Sequence, residues 1–438
     1  MKLTSLFKIA AASLCFAMPA KAQEDFIYSQ FSSLMEDHAS ISLVWNLTNG
    51  SSADARNLEA ALIAKISDGT PNFTARESVD LRTILGVDYS VSTTPGHLIL
   101  TMMAPQETFF EAVDHFAESL KGNDISEGWL NRVKVNFAQR PSTRITTQAN
   151  VEAELKNFAL YETGGPRIND LAGIVLRRPD QIITNGREFN FRRTPEQLVA
   201  AFSTEVQLDI DPPPAPRPIP SGVIFMEDDD ANEALVFVAD GQSFADHNDM
   251  ALANTVYRYM GYGAGSEMFT ILRQEKRASY DPQSHFTEVA KQYAVMGLSA
   301  NVEASKWYES YQTMAEIYSK ARGGGNSQQG LEDSKNQMIN VMIYDLRRTP
   351  NYLVERYLED YPYAPPNGRV SLPGIGAAFD LDTTQINGRA AEVMAPIDEM
   401  LMIIIGGHTP PPEEMRANGY CELERGQPLR VCLEKLSE

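Results

Sequence analysis

The sequence predicts an α+β protein of two homologous domains. Each is a mainly antiparallel sheet packed with helices, and a proline-rich linker joins them. Three observations lead to this reading. An order of strands and helices found early in the chain returns about 190 residues later. Each copy holds a pair of alternating segments that reads as a hairpin, followed by amphipathic helical stretches. Between the copies runs DPPPAPRPIP, residues 211–220. Its prolines favour an extended spacer over a core element, with a peptide-recognition motif as the sharper alternative.

The first copy opens with a strand at 40–48, where Ile41, Leu43, Trp45 and Leu47 alternate onto one face. Leu58, Leu62 and Ile66 then recur at helical spacing, with Asp54 as a cap and Gly69 as a stop. Thr74 and Glu77 form a capping box for a second helix that ends at Gly86. Segments 87–93 and 97–104 pair as a hairpin, 108–120 is an amphipathic helix, and further helices cover 126–139 and 148–161. The second copy repeats the order. A strand at 233–240 leads to helices at 247–260 and 266–277, a hairpin of 279–289 with 292–302, and helices at 304–321 and 328–346. The final strand is 400–405. Each copy closes on a helix start, at 194–197 and 383–386. No strong strand follows Phe202, so the first copy reads as trimmed. The glycine-rich turn at 322–330 lacks the Lys-Ser/Thr of a phosphate loop.

Lys2, Lys8, the apolar run 9–19 and Ala20-Lys21-Ala22 read as a secretory signal cleaved near Ala22. The apolar run is too short to span a membrane, and no other stretch is apolar enough. The domain plan is therefore a signal peptide (1–22), an N-terminal domain (23–210), the linker (211–222) and a C-terminal domain (223–438), with a periplasmic location. The 58 acidic residues outnumber the 38 basic ones, for a net charge of −20. That argues against nucleic acid and against anionic membrane surfaces as partners. Cys15 leaves with the signal. Cys421 and Cys432 are expected to pair in an oxidising compartment, the alternative being a metal site with His408.

Two segments carry a family resemblance. Residues 262–280, YGAGSEMFTILRQEKRASY, resemble a glycine turn, an S-R-L-F-x-x-L-R helix start and an R-E-x-x-G-L-x-Y ending found in the insulinase/pitrilysin metallopeptidases. Gly69-Thr70 match the Gly-Thr that ends this family's inverted H-x-x-E-H zinc motif. From there to Gly86–Ser92 the chain resembles the family's G-T…G-A-x-x-x-x-S. It departs at Glu267, where the family often has Arg, and at Arg277 and Ala278, where it favours Gly-Leu. On this resemblance the first ligand position is Ala60, the catalytic carboxylate position Ile63 and the second ligand position Ala64. A third ligand, a glutamate, falls near Gln139, yet no acidic residue lies between Glu127 and Glu152. Zinc takes imidazole, thiolate or carboxylate donors, so all of these positions are degenerate. The six histidines include no pair at helical spacing, and each reads as a lone surface or packing residue. There is no G-x-S-x-G elbow.

The resemblance implies a chain without chemistry of its own and without a cofactor, zinc being expected only in a partner. It implies a non-catalytic subunit that pairs with an active H-x-x-E-H homologue, or with itself, around a peptide substrate. A structural scaffold and a stand-alone peptide-binding protein are the alternatives. In the subunit reading, Arg273 and Tyr280 face the peptide or a developing oxyanion, and Gly261, Gly263 and Gly265 grip the substrate. From the residues alone, three blander readings stay open. Arg273 pairs with Glu275 or Asp281, Tyr280 sits in the core, and the glycines form a tight turn.

Overall fold

The structure, a computed structural model, describes residues 27–32, 37–46, 62–94, 97–121, 126–129, 147–160, 179–186, 216–290, 292–348, 350–360 and 373–438, with a few isolated residues between them. The signal segment, the helix start at 194–197 and the first half of the proline run (211–215) lie outside the described residues. The chain divides into two compact units. One takes residues 1–139, 166–213 and 341–373, the other 140–165, 214–340 and 374–438.

The first unit is built on strands β1 (Ile27–Ser32), β2 (His38–Asn46), β3 (Asp88–Thr94), β4 (His97–Pro105) and β5 (Gln181–Gly186), in the order β1-β5-β2-β4-β3. β1 and β5 are parallel and the other pairs antiparallel. The second unit holds β6 (Gly222–Glu227), β7 (Glu233–Ser243), β8 (Gln283–Ala290), β9 (Tyr293–Glu303), β10 (Leu401–Gly407) and β11 (Tyr420–Glu422), in the order β11-β6-β10-β7-β9-β8. There β10 is parallel to β6, while β10–β7, β7–β9 and β9–β8 are antiparallel. Leaving out β11, the two sheets agree in order and sense, strand for strand. The repeat in the sequence is thus a repeat of topology, and the first copy does have a counterpart of the final strand. Gln181–Gly186 fills the place that Leu401–Gly407 holds in the second sheet. It precedes Phe202 in the chain.

The helices are α1 (Ala75–Leu85), α2 (Phe109–Ser119), α3 (Gln148–Leu160), α4 (His247–Gly261), α5 (Trp307–Arg322), α6 (Gln328–Arg348), α7 (Pro350–Asp360), α8 (Pro373–Asp380), α9 (Thr383–Val393) and α10 (Arg430–Ser437). The capping box forms: the Thr74 hydroxyl accepts from the Glu77 N–H, the Glu77 carboxylate accepts from the Thr74 N–H, and Gly86 closes α1 at φ 67°. The segment expected as an α-helix at 266–277 instead takes the wider π-helical form over Phe269–Glu275. Among the described residues no helix is long and apolar enough to cross a membrane.

Alternation on β7 sends Ala234, Val236 and Val238 to one face and Leu235, Phe237 and Ala239 to the other. Side chains of α4, α5 and α9 cover the first face, and those of α3 and α10 cover the second. Burial on both faces explains the unbroken apolar run Leu401–Ile405. In the first unit, Ile41, Leu43 and Trp45 pack with Phe109, Val113 and Phe116 of α2, as the alternation predicts. The neighbouring positions of the sheet carry small polar groups. Ser42 and Thr101 share a 2.7 Å hydrogen bond, and Asn351 of α7 bonds Ser90 and Ser92 at 3.0 and 3.2 Å. At the far end of the second unit, Cys421 on β11 and Cys432 on α10 form a disulfide with a Cα separation of 5.5 Å.

α3 is fastened to the second sheet by a polar chain as well as by Val151, Leu155 and Phe158. Gln148 donates to the Asp281 carbonyl at 3.1 Å. Glu152 accepts from the Thr287 hydroxyl and lies 3.2 Å from His285 Nδ1. His285 stacks on Phe237, and its Nε2 meets Ser299 Oγ at 2.5 Å. His285 is therefore the centre of a buried network, not a lone residue. The His285 contact, helped by Thr287 and opposed by burial, holds the Glu152 carboxyl below the usual glutamate range. A carboxylate with a depressed folded-state pKa adds stability above its unfolded pKa, and this is lost as pH falls through the folded value. We therefore expect the protection factors of α3 amides, referenced to intrinsic exchange at each pH, to fall on acidification below the ordinary glutamate range, and Glu152→Gln to show the lower protection already at neutral pH. Equal protection in both proteins at both pH values would contradict this.

Candidate functional site

Ile63 and Ala64, two of the positions that the resemblance aligns with a zinc motif, lie on a helical run at 62–67 in the first unit. Ala60 and Gln139 lie outside the described residues. Ala64 is fully buried. Ile63 lines an open groove of about 680 Å³ with Ile66, Val79, Arg82, Tyr89 and Val91. Arg82 donates to the Ile66 carbonyl at 2.9 Å and the Ser78 carbonyl at 3.3 Å, and its guanidinium lies 5.5 Å from the Tyr89 ring centre. Burial pushes the Tyr89 phenol up to about 12, against the lowering effect of Arg82, so it stays neutral. The alkyl groups of Ile63 and Ala64 offer no lone pair and do not fit a zinc ion. Among the described residues no three His, Cys, Asp or Glu side chains converge on a metal position.

The Gly-Thr that follows has a packing role. A Cβ on Gly69 would sit 2.5 Å from the Phe73 carbonyl oxygen. The Thr70 hydroxyl donates to Glu118 at 3.0 Å and accepts from the Phe73 N–H at 3.1 Å. Asp68 accepts from the Ser126 N–H at 2.7 Å and the Gly69 N–H at 2.8 Å. Burial pushes its pKa up, but these N–H groups outweigh that and hold it below the usual aspartate value.

In the second unit α4 ends where Gly261 meets β8, and a Cβ there would lie 2.2 Å from the Ser284 nitrogen. Gly263 has φ +82° and turns the chain, while Gly265 has open space around its Cα. Glu267, at the position where Arg is frequent, accepts from the Tyr259 hydroxyl at 2.7 Å and pairs with Lys320 at 2.9 Å. The π-helical turn buries Leu272 and exposes Arg273. The Arg273 Nη1 donates to the Tyr280 carbonyl at 2.7 Å. Its guanidinium lies 4.9 Å from the Phe269 ring centre and 5.8 Å from that of Tyr280. The Tyr280 side chain is outside the core, 80% exposed. Arg273 and Tyr280 are thus adjacent on the surface, with guanidinium N–H groups beyond Nη1 available to a ligand. Asp281 is engaged elsewhere, accepting from Asn301. The next turn contains Arg277 at φ +54°. This is the position where the resembled motif favours glycine, and the left-handed conformation supplies the reason.

Residues 138–338 match the profile described as "Peptidase M16 inactive domain". A comparison with curated proteins returns no match. Among solved structures, the chain is similar to a peptidase M16 inactive domain from Pseudomonas fluorescens, at 13% identity and a TM-score of 0.65, covering 91% of this chain and 99% of that one. It is similar to a protease from Helicobacter pylori, at 13% identity and a TM-score of 0.68, covering 90% and 100%. It is also similar to the periplasmic protease PqqL from Escherichia coli, at 12% identity and a TM-score of 0.65, covering 90% of this chain and 46% of that one.

Two substitutions test these assignments. Gly69→Ala should cost roughly 1–3 kcal/mol, because backbone oxygen blocks the new methyl group. Arg277→Gly should stabilise by up to about 1 kcal/mol, since relief of a left-handed side-chain residue outweighs the extra chain entropy of glycine. Urea denaturation checks both. A neutral Gly69→Ala or a destabilised Arg277→Gly would refute the corresponding reading.

Proposed function

We propose that this chain, an inactive-domain member of the M16 peptidases by the match over residues 138–338, is the non-catalytic subunit of a periplasmic zinc metallopeptidase. It pairs with a homologue that bears H-x-x-E-H and contributes peptide-binding and oxyanion-stabilising side chains. The observation that carries the reading is a contrast between the two units. One has alkyl groups at Ile63 and Ala64 where metal chemistry needs donors. The other keeps Arg273 and Tyr280 side by side on open surface. The half-length coverage of PqqL supports pairing, since a longer relative carries about as much chain again. The Cys421–Cys432 disulfide supports an oxidising compartment.

A peptide carbonyl under attack develops negative charge on oxygen, and donors already aimed at that charge lower the barrier. Arg273 offers a planar fork and Tyr280 a hydroxyl. The bond from Arg273 to the Tyr280 carbonyl favours a second reading, in which the pair is structural and the chain a scaffold. The two separate in a reconstituted complex. In the first reading, Arg273→Ala or Tyr280→Phe lowers turnover by roughly 100-fold, about 3 kcal/mol, with assembly intact. Arg273→Lys restores only part of it. Full activity in both variants selects the scaffold. The chain by itself should cleave no peptide and take up no stoichiometric zinc. One equivalent of tightly held zinc with chelator-sensitive proteolysis would overturn the subunit reading.

A further inference from the structure

Beside the left-handed turn at Arg277 lies a cavity of about 240 Å³. Lys276, Arg277 and Ala278 line it from the turn, Glu303 from the end of β9, Lys306 from the short 3-10 turn after it, and Glu309, Ser310 and Thr313 from α5. The chain carries a net charge of −20, yet three cations meet here. Lys306 is paired with Glu303 at 2.5 Å. Lys276 touches only the Thr313 hydroxyl, to which it donates at 2.7 Å. Among the described residues neither Lys276 nor Arg277 has a carboxylate partner. Ser310 also lines the cavity and is 3% exposed.

Arg277 occupies a backbone conformation that disfavours any side chain, and the residue lines this cavity. The next residue is Ala278, so the wall is low where a larger side chain would fill the space. A serine hydroxyl on the wall, two exposed cations without a carboxylate partner among the described residues and an open volume fit an anionic oxygen ligand. The carboxylate of Glu309 on the same wall repels a bare anion. It accepts a hydrogen bond from an oxyanion that still carries a proton.

We propose that this cavity binds hydrogen phosphate. Arg277 and Lys276 hold its charged oxygens, Ser310 donates its hydroxyl, and the P–OH donates to Glu309. Sulfate carries no proton at neutral pH. A phosphate monoester, with a second pKa near 6, is mostly the unprotonated dianion there.

Calorimetric titration of the full chain at neutral pH tests this, with inorganic phosphate, sulfate and glycerol 3-phosphate as probes. Saturable one-site binding of inorganic phosphate is expected, with sulfate and glycerol 3-phosphate weaker by roughly tenfold or more. Arg277→Gly suits the backbone and removes the guanidinium, so it should fold normally and weaken phosphate by roughly tenfold. Lys276→Gln and Ser310→Ala should weaken it in the same direction, and Glu309→Gln should narrow the gap between phosphate and sulfate. Three outcomes overturn the proposal. They are no saturable binding in millimolar phosphate, phosphate binding unchanged in Arg277→Gly and Lys276→Gln, and sulfate or glycerol 3-phosphate binding as tightly as inorganic phosphate.

Discussion

The approach of helix α4 to strand β8 at Gly261 fixes where the whole segment 262–280 lies. With 2.2 Å between an added Cβ and the Ser284 nitrogen, no residue but glycine allows that contact without moving the backbone. The other end is anchored by the bridge of Ser279 to Val302. Between these anchors, Met268 and Leu272 are fully buried and hold the π-helical turn against the core. The residues on the outer side of the turn, Arg273, Arg277 and Tyr280, are thereby presented from a rigid base. Gly261 belongs to the joint that positions the site and has no room to grip a substrate.

A similar separation of framework from chemistry accounts for the first unit. Gly69 and Thr70 are held by local packing, against the Phe73 carbonyl and the Glu118 carboxylate. The residues one turn earlier have no such constraint. Donor side chains without a metal would be buried polar groups, each costing about 1–3 kcal/mol if unpaired. Alkyl groups at Ile63 and Ala64 fill the same helix face without that penalty, and Ala64 is completely enclosed. Alkyl groups at these positions therefore cost the helix nothing, while replacement of the Gly-Thr turn would carry a cost.

Much of this architecture is legible in the sequence because local signals decide it. The capping box at Thr74, the hairpins and the alternation of Ile41, Leu43 and Trp45 are properties of neighbouring residues. What stays hidden depends on distant partners. Gln181–Gly186 contains Gln, Thr and Asn, yet every residue is buried, because it lies between two other strands. The polar positions Ser90 and Ser92 make sense only with Asn351 against them, some 260 residues away. The form of the helix at 269–275 is also nonlocal, since α- and π-helical windings bury the same apolar residues at nearly the same spacing. At the candidate site the adjacency of Arg273 and Tyr280 follows from their spacing, whereas the left-handed backbone at Arg277 hides behind a residue type that rarely adopts it.

Glu152, His285 and Ser299 illustrate why connectivity alone does not make a catalytic site. Carboxylate to Nδ1, and Nε2 to hydroxyl, is the hydrogen-bond order of a hydrolytic triad. A nucleophile must also reach a carbonyl and leave space for a tetrahedral centre. Ser299 is 0% exposed and pairs with Phe237 on one side and Gln283 on the other, inside the sheet. No substrate atom reaches it without parting β9 from its neighbours. The network acts instead on strand register. Sliding β8 past β9 by one residue would turn His285 to the other face of the sheet. Ser299, fully buried, would then lose its hydroxyl's partner, at the cost of a buried, unpaired polar group. The same three residues that resemble a catalytic relay therefore hold helix α3 and strands β8 and β9 in one arrangement, and in doing so fix the strand that begins just beyond Tyr280.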